Sequence, residues 1–239
     1  MRENPIGVFD SGVGGLFVLN RLAAALPSER FIYLADEANM PYGVKDDGEI
    51  KRAACACAST LFSMNCKALV VACNTATAVA VDDIRRLYPN RIVIGLEPAV
   101  KPCCNELGKN GYAVALVTPA TAESRKFKRL AAAAGDRLVS APQPHLARMI
   151  EENVCDLSAV EPYVKEILSP YETAESVILG CSHYSCIANA VKRFYGGNIK
   201  IYDGADGAAA RLSYCLALAG LLAPQCETGS MRFLSTARA

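Results

Sequence analysis

Short, nearly all-apolar segments recur along this 239-residue chain with helix-period segments between them, and that alternation limits the fold more than any other feature. Strand-like runs fall at 6–9, 31–34, 68–71 and 92–94, and a second set at 113–117, 137–139, 176–179 and 199–202. Helical patterns such as 16–26, 78–87 and 124–134 lie between them. Strands that are apolar throughout, rather than on alternate residues, belong to parallel sheets covered on both faces by helices. The expected class is α/β: two similar domains with mainly parallel sheets flanked by helices, related by a pseudo-twofold, with an active site between them. A strand end followed by proline at Leu96-Glu97-Pro98-Ala99 marks the boundary. The helical pattern at 206–222 follows the second set and is expected to return to the first domain. The division is 1–98 plus 207–239 for one domain and 99–206 for the other. The tail after Pro224, including Cys226 and Glu227, has little pattern and is expected to be poorly ordered.

Charge narrows the partners. Lys plus Arg number 25 and Asp plus Glu 24, so no broad field exists to hold nucleic acid or an anionic membrane. No apolar run approaches the ~20 residues of a membrane span, and the N-terminal stretch is too short for a signal-peptide core. A small-molecule partner and a cytoplasmic location are expected. The 11 cysteines are odd in number and scattered through apolar segments, which fits a reducing compartment. Cys55, Cys57, Cys66, Cys155 and Cys215 read as small buried hydrophobes. With no Cys-x-x-Cys pair and only His145 and His183, neither a metal nor a cofactor is expected.

Several polar clusters stand where strands end, the rim at which open parallel sheets hold ligands. Asp10-Ser11-Gly12-Val13-Gly14-Gly15 leaves a strand and opens a helix. Its glycines would let the backbone approach a ligand, and its amides could receive a carboxylate. It lacks the Gly-x-x-x-x-Gly-Lys-Ser/Thr and Gly-x-Gly-x-x-Gly patterns of phosphate and dinucleotide loops. A plain turn capped by Asp10 or Ser11 is the competing reading. Cys73-Asn74-Thr75-Ala76-Thr77 follows the third run, placing Cys73 before a helix N-terminus, whose partial positive charge favours thiolate. Gly180-Cys181-Ser182-His183-Tyr184 repeats the arrangement in the second half, again with a polar residue opening a helix. His183 stands where it could tune or shuttle a thiol proton. Packing of each cysteine as an ordinary small residue is the alternative. Pro41-Tyr42-Gly43 after Asp36, and Thr118-Pro119-Ala120-Thr121, lie on the same rim and could equally be turns.

Two thiols at equivalent places in similar halves suit one reaction in particular. Inverting an α-carbon removes a weakly acidic proton from one face and delivers another to the opposite face, which takes two acid/base groups. Fixed amides and hydroxyls around the carboxylate, and exclusion of water, would stabilise the carbanion.

In order and spacing these motifs, together with Glu97-Pro98, closely resemble the glutamate racemases of the aspartate/glutamate racemase family, and the match runs nearly end to end. The resemblance implies cofactor-independent, metal-free interconversion of L- and D-glutamate, supplying D-glutamate for peptidoglycan, in a homodimer. It makes Cys73 and Cys181 the acid/base pair, assisted by Asp10 and His183. Ser11, Pro41, Tyr42, Gly43, Asn74, Thr75, Thr118, Thr121 and Ser182 become the substrate-binding set, joined by Asp10, Cys73, Cys181 and His183. Glu151 corresponds to an auxiliary acidic position, with Glu152 as the alternative alignment. This chain departs from the family in having Ser182 for the usual Thr, which keeps the hydroxyl but loses a methyl that would hold its rotamer. Ser185 replaces a common proline, and 141–145 is more polar than usual. Competing readings are an aspartate or related racemase, a decarboxylase or isomerase of the same fold needing only one essential cysteine, and a non-catalytic binder of small acidic ligands.

Overall fold

The computed structural model describes residues 1–224 and 228–237. Its strands are β1 (Ile6–Asp10), β2 (Arg30–Ala35), β3 (Ala68–Val71), β4 (Ile92–Gly95), β5 (Ala113–Val117), β6 (Leu138–Pro142), β7 (Ser176–Gly180), β8 (Lys200–Tyr202) and β9 (Ser230–Ser235). Its helices are α1 (Gly15–Ala25), α2 (Asp47–Ser63), α3 (Asn74–Leu87), α4 (Val100–Glu106), α5 (Pro119–Glu123), α6 (Arg125–Ala134), α7 (Leu146–Glu152), α8 (Glu161–Leu168), α9 (Ala188–Phe194) and α10 (Ala205–Leu218). Two sheets form, ordered β4-β3-β1-β2-β9 and β6-β5-β7-β8, and every pairing in them is parallel.

Parallel pairing explains the all-apolar runs. Along β1, Ile6 and Val8 face a core shared with α1 and α10, while Phe9 faces the core under α2 and α3. The second sheet divides in the same way: Val114 and Leu116 face α7, α8 and α9, and Ala115 and Val117 face α4 and α6. Helix α10 contributes Ala205, Ala208, Ala209, Leu212 and Leu216 to the core of the first sheet, the return expected from the sequence, although it stops at Leu218 rather than 222. Helix α2, which the apolar pattern did not single out, opens with a reciprocal capping box between Asp46 and Glu49.

The tail departs from expectation. Gln225 to Glu227 lie outside the described residues, but Ser230–Ser235 is a regular edge strand parallel to β2. Its pattern was faint because β9 has one neighbour and is mostly exposed on both faces, so nothing required a continuous apolar run. At the opposite end of the strands, Lys67 and Glu29 form a buried ion pair at 2.5 Å. Lys67 also donates to the carbonyls of Arg2 and Leu221, and Glu29 accepts from the Ala223 amide, so the N-terminal segment and the segment after α10 are both tied to the sheet.

Candidate active site

Because all strands in each sheet point one way, the residues following β1, β3, β5 and β7 emerge on one rim per sheet, and side-chain hydrogen bonds join the two rims. Asp10 ends β1 fully buried. Its Oδ1 accepts from the Gly12 amide at 3.0 Å, and its Oδ2 accepts from the Ser182 hydroxyl, beyond β7, at 2.7 Å. The Val13 amide donates to both Glu151 oxygens at 3.2 and 3.1 Å, and Glu151 Oε2 lies 2.6 Å from His183 Nε2. The glycine-rich turn therefore does receive a carboxylate, but the chain's own. Its glycines serve the approach of the other half: a Cβ on Gly12 would lie 2.6 Å from Glu151 Oε2, and one on Gly14 would lie 2.5 Å from the His183 backbone nitrogen.

Cys73 is the N-cap of α3. Its sulfur accepts from the Ala76 amide at 3.5 Å, and its thiol donates to Ser11 Oγ at 3.8 Å. The helix terminus was expected to favour thiolate, and burial overrules it. Desolvation, followed by the Asp10 charge, raises this thiol far above its ordinary value, with a smaller contribution from Cys181, and the Ala76 and Ser11 hydrogen bonds offset only part of the rise. Cys181 differs from the sequence reading in another way. It precedes a 3-10 segment, Ser182–Ile187, rather than an α-helix. Its partner is His183, whose Nδ1 lies 3.9 Å from Sγ. The two thiols are 3% and 6% exposed, a closed arrangement.

The charges around them are mutually adjusted. Burial alone would lower the His183 pKa, but hydrogen bonds to Cys181 and Glu151 and the charges of Cys181 and Asp10 prevail and hold it well above its ordinary value. Burial opposes ionisation of Glu151, yet the hydrogen bond and charge of His183, with the Val13 amide, keep its carboxyl below the usual range. Burial raises Asp10 against the counteracting charge of His183 and the donors Ser182 and Gly12. The His183–Glu151 contact, 2.6 Å from Nε2 to Oε2, thus favours the charged form of each partner.

A second cluster, of hydroxyls, also spans the halves. Thr118, N-cap of α5, and Thr121 follow β5, and Thr75 lies in the first turn of α3. The Thr75–Thr118, Thr118–Thr121 and Thr75–Thr121 oxygens are 2.9, 2.9 and 3.3 Å apart. Asn74 donates to the Leu96 carbonyl at 3.0 Å, leaving its buried Oδ1 without a hydrogen-bond partner. Beyond the cis Met40–Pro41 bond, Tyr42 donates to Asp36 Oδ2 at 2.5 Å, and Gly43 packs so closely on Thr118 that a Cβ would lie 2.7 Å from the threonine Cβ.

The residues expected in the catalytic and binding sets, Glu152 apart, lie at or beside these clusters. Of the two glutamates, Glu151 enters the cluster, whereas Glu152 pairs with Arg148 on the exposed side of α7. The sequence reading missed Tyr33, whose hydroxyl donates to the Gly12 carbonyl at 2.6 Å, and gave no role to Asp36. The signal available for Asp36 was its position directly after β2, on the same rim. Among the described residues no three His, Cys, Asp or Glu side chains gather as a metal site. A cavity of about 690 Å³ lies elsewhere, beside Glu97, Lys101 and Arg211.

Comparison with known proteins identifies the family to which this fold and rim belong. The model of the Asp/Glu/Hydantoin racemase family matches residues 9–212, and the chain belongs to that family. Several glutamate racemases are similar to this chain. That of Clostridium novyi is 41% identical over 212 residues, 87% of this chain and 82% of that protein. That of Halothermothrix orenii is 38% identical over 237 residues, 98% and 93% of the two chains. Among solved structures, the glutamate racemase of Thermus thermophilus, in complex with β-chloro-D-alanine, superposes with a TM-score of 0.83 at 32% identity, covering 99% of this chain and 89% of that one. The enzyme of Francisella tularensis, in complex with D-glutamate, gives 0.83 at 30% identity, covering 100% and 90%.

Proposed function

We propose that this chain interconverts L- and D-glutamate without a cofactor, with Cys73 and Cys181 as the two acid/base groups. The observation that carries the reading is that the two thiols, from the ends of β3 and β7, adjoin one network: Cys181 lies beside His183, Ser182 donates to Asp10, His183 pairs with Glu151, and Cys73 lies on Ser11, the residue after Asp10. Between them a substrate α-carbon would have a sulfur on each face. In one direction the Cys73 thiolate takes the α-proton and the Cys181 thiol delivers its own to the opposite face; in the other the roles exchange. Each turnover leaves the pair in the opposite protonation state, so the protons must be reset before the next. His183, with Nδ1 toward Cys181 Sγ, is placed to pass a proton to or from that sulfur, while Glu151 anchors its far nitrogen. Asp10, between the halves, holds Ser182 and the Gly12 amide in register.

Desolvation explains the raised Cys73 thiol and serves the reaction. The α-proton is a very weak acid, so a base that is strong once ionised suits it better than a stabilised thiolate. Asn74 Oδ1, buried and unpartnered, would accept from the substrate ammonium, and the threonine hydroxyls and the 41–43 turn would hold carboxylates. With both thiols nearly buried, entry requires the halves to part. The reading takes 1–98 with 207–239 and 99–206 as two domains closing on the substrate. It also includes peptidoglycan supply, a homodimer and a cytoplasmic location, each carried by the family resemblance. Among the described residues no helix is long and apolar enough to cross a membrane.

Chiral chromatography after incubation with each enantiomer of glutamate and of aspartate, with no added cofactor, tests the assignment. Racemisation of glutamate is expected, with Cys73→Ala and Cys181→Ala each folded and inactive. Turnover of aspartate alone would refute the substrate. Full activity in either alanine variant would refute the two-thiol mechanism.

A further inference from the structure

The last strand of the described chain is tied into the site by residues to which neither motif nor resemblance gave a role. β9 pairs with β2 along its whole length, so both end at the same rim. There the Thr236 amide donates to the Ala35 carbonyl at 3.0 Å and extends the ladder. Its hydroxyl accepts from the Ala38 amide at 3.1 Å, which leaves the hydroxyl proton for Asp36 Oδ1 at 2.7 Å. Asp36 is almost fully buried, and its other oxygen accepts from Tyr42. Asn39 bridges both carboxylate oxygens at 3.0 and 3.1 Å. The path Thr236–Asp36–Tyr42 thus runs from the tail to the turn that meets Thr118. A parallel path runs from Phe233, whose ring lies 6.2 Å from that of Tyr33, through the Tyr33 hydroxyl to the Gly12 carbonyl.

We propose that Thr236 is a positioning residue for the racemase reaction: its hydroxyl fixes the Asp36 carboxylate, and Asp36 in turn fixes Tyr42 and the 41–43 turn. Without that hydroxyl, Oδ1 loses its shortest hydrogen bond, and the carboxylate, held by Asn39 and the Cys57 side chain, gains freedom to rotate about its last torsion. Tyr42, buried and aimed at Oδ2, then has a less firmly fixed acceptor. A turn that grips the non-reacting part of a substrate holds ground state and transition state alike, so loosening it raises KM and leaves kcat. What the turn binds rests on the racemase reading; that Thr236 orders it does not.

Thr236→Val removes the hydroxyl and keeps the branched shape, and Thr236→Ser restores the hydroxyl. In the full chain, Thr236→Val is expected to raise KM for glutamate by about tenfold, the size of one hydrogen bond to a charged group, with kcat within about twofold and Thr236→Ser close to the parent. Amide exchange over residues 36–44 is expected to quicken in Thr236→Val and not in Thr236→Ser. Should Thr236→Val fail to fold, Thr236→Ala removes the same hydroxyl without added bulk and is read in the same way. Unchanged KM with unchanged exchange overturns the proposal, as does equal impairment in the valine and serine variants, which would mark a structural role independent of the hydroxyl. If the parent protein does not turn over glutamate, the racemase reading falls while the exchange measurement still decides the role of Thr236.

Discussion

Gly14 carries no functional group, yet the packing makes it one of the least replaceable residues of the site. A Cβ there would sit 2.5 Å from the His183 nitrogen, 2.6 Å from its Nδ1 and 2.8 Å from its Cα. The nearest obstacle is backbone, so no side-chain rotation relieves it, and Gly14→Ala must push the Ser182–His183 segment back by about 0.9 Å to reach ordinary contact. A shift of that size stretches the 2.7 Å Ser182–Asp10 bond to the edge of hydrogen-bonding range and disturbs the 2.6 Å His183–Glu151 pair. A misplacement of ~1 Å in a reacting constellation costs on the order of 10²-fold in rate, and overpacking costs about 1–3 kcal/mol in stability. Gly207, inside α10 with nothing within 4 Å of a Cβ, is the control, and alanine there is expected to stabilise by about 0.5–1 kcal/mol. Racemisation followed by chiral chromatography, alongside thermal melts, gives both numbers. A Gly14→Ala protein with parent kcat and Tm would show that the two halves do not need this close approach.

Two further outcomes follow from the charges. Lys67→Met leaves Glu29 buried without its cation and should cost about 3–5 kcal/mol in chemical denaturation, whereas the double change Lys67→Met with Glu29→Gln should recover part of the loss; equal stability of all three would mean the pair is solvated. The folded-state pKa of Glu151 is depressed, so its contribution to stability is present above the ordinary glutamate value of about 4.3 and is lost as pH falls through the folded value. Glu151→Gln should therefore flatten the acid side of the Tm–pH curve, and a curve as steep as the parent's would contradict the assignment.

The sequence exposed some of this and hid the rest for physical reasons. Cys73 and Cys181 were visible because buried parallel strands are continuously apolar, so a polar residue at the end of such a run stands out. Their electrostatics were not visible. Helix position argued for a Cys73 thiolate, but desolvation, which depends on what the other half covers, reversed the sign. The 3-10 turn after Cys181 was hidden because its apolar residues fit either helix. Gly12 and Gly14 were read as making room for a ligand; the occupants are Glu151 and His183, over a hundred positions away in the chain. Ser-Met-Arg-Phe-Leu-Ser of β9 has no burial on its outer edge to impose a pattern, and Thr236 carries no local signal because its meaning comes from the strand beside it.

The claim on which the account depends is that two different groups handle the proton on opposite faces of one carbon. Racemisation in deuterated solvent, sampled at low conversion and resolved by enantiomer and mass, tests it directly. The account predicts deuterium at the α-carbon of nearly all the newly formed enantiomer and almost none in the recovered starting enantiomer. Product that retains the original proton, or starting enantiomer that gains deuterium as fast as product forms, would point to a single base and contradict it.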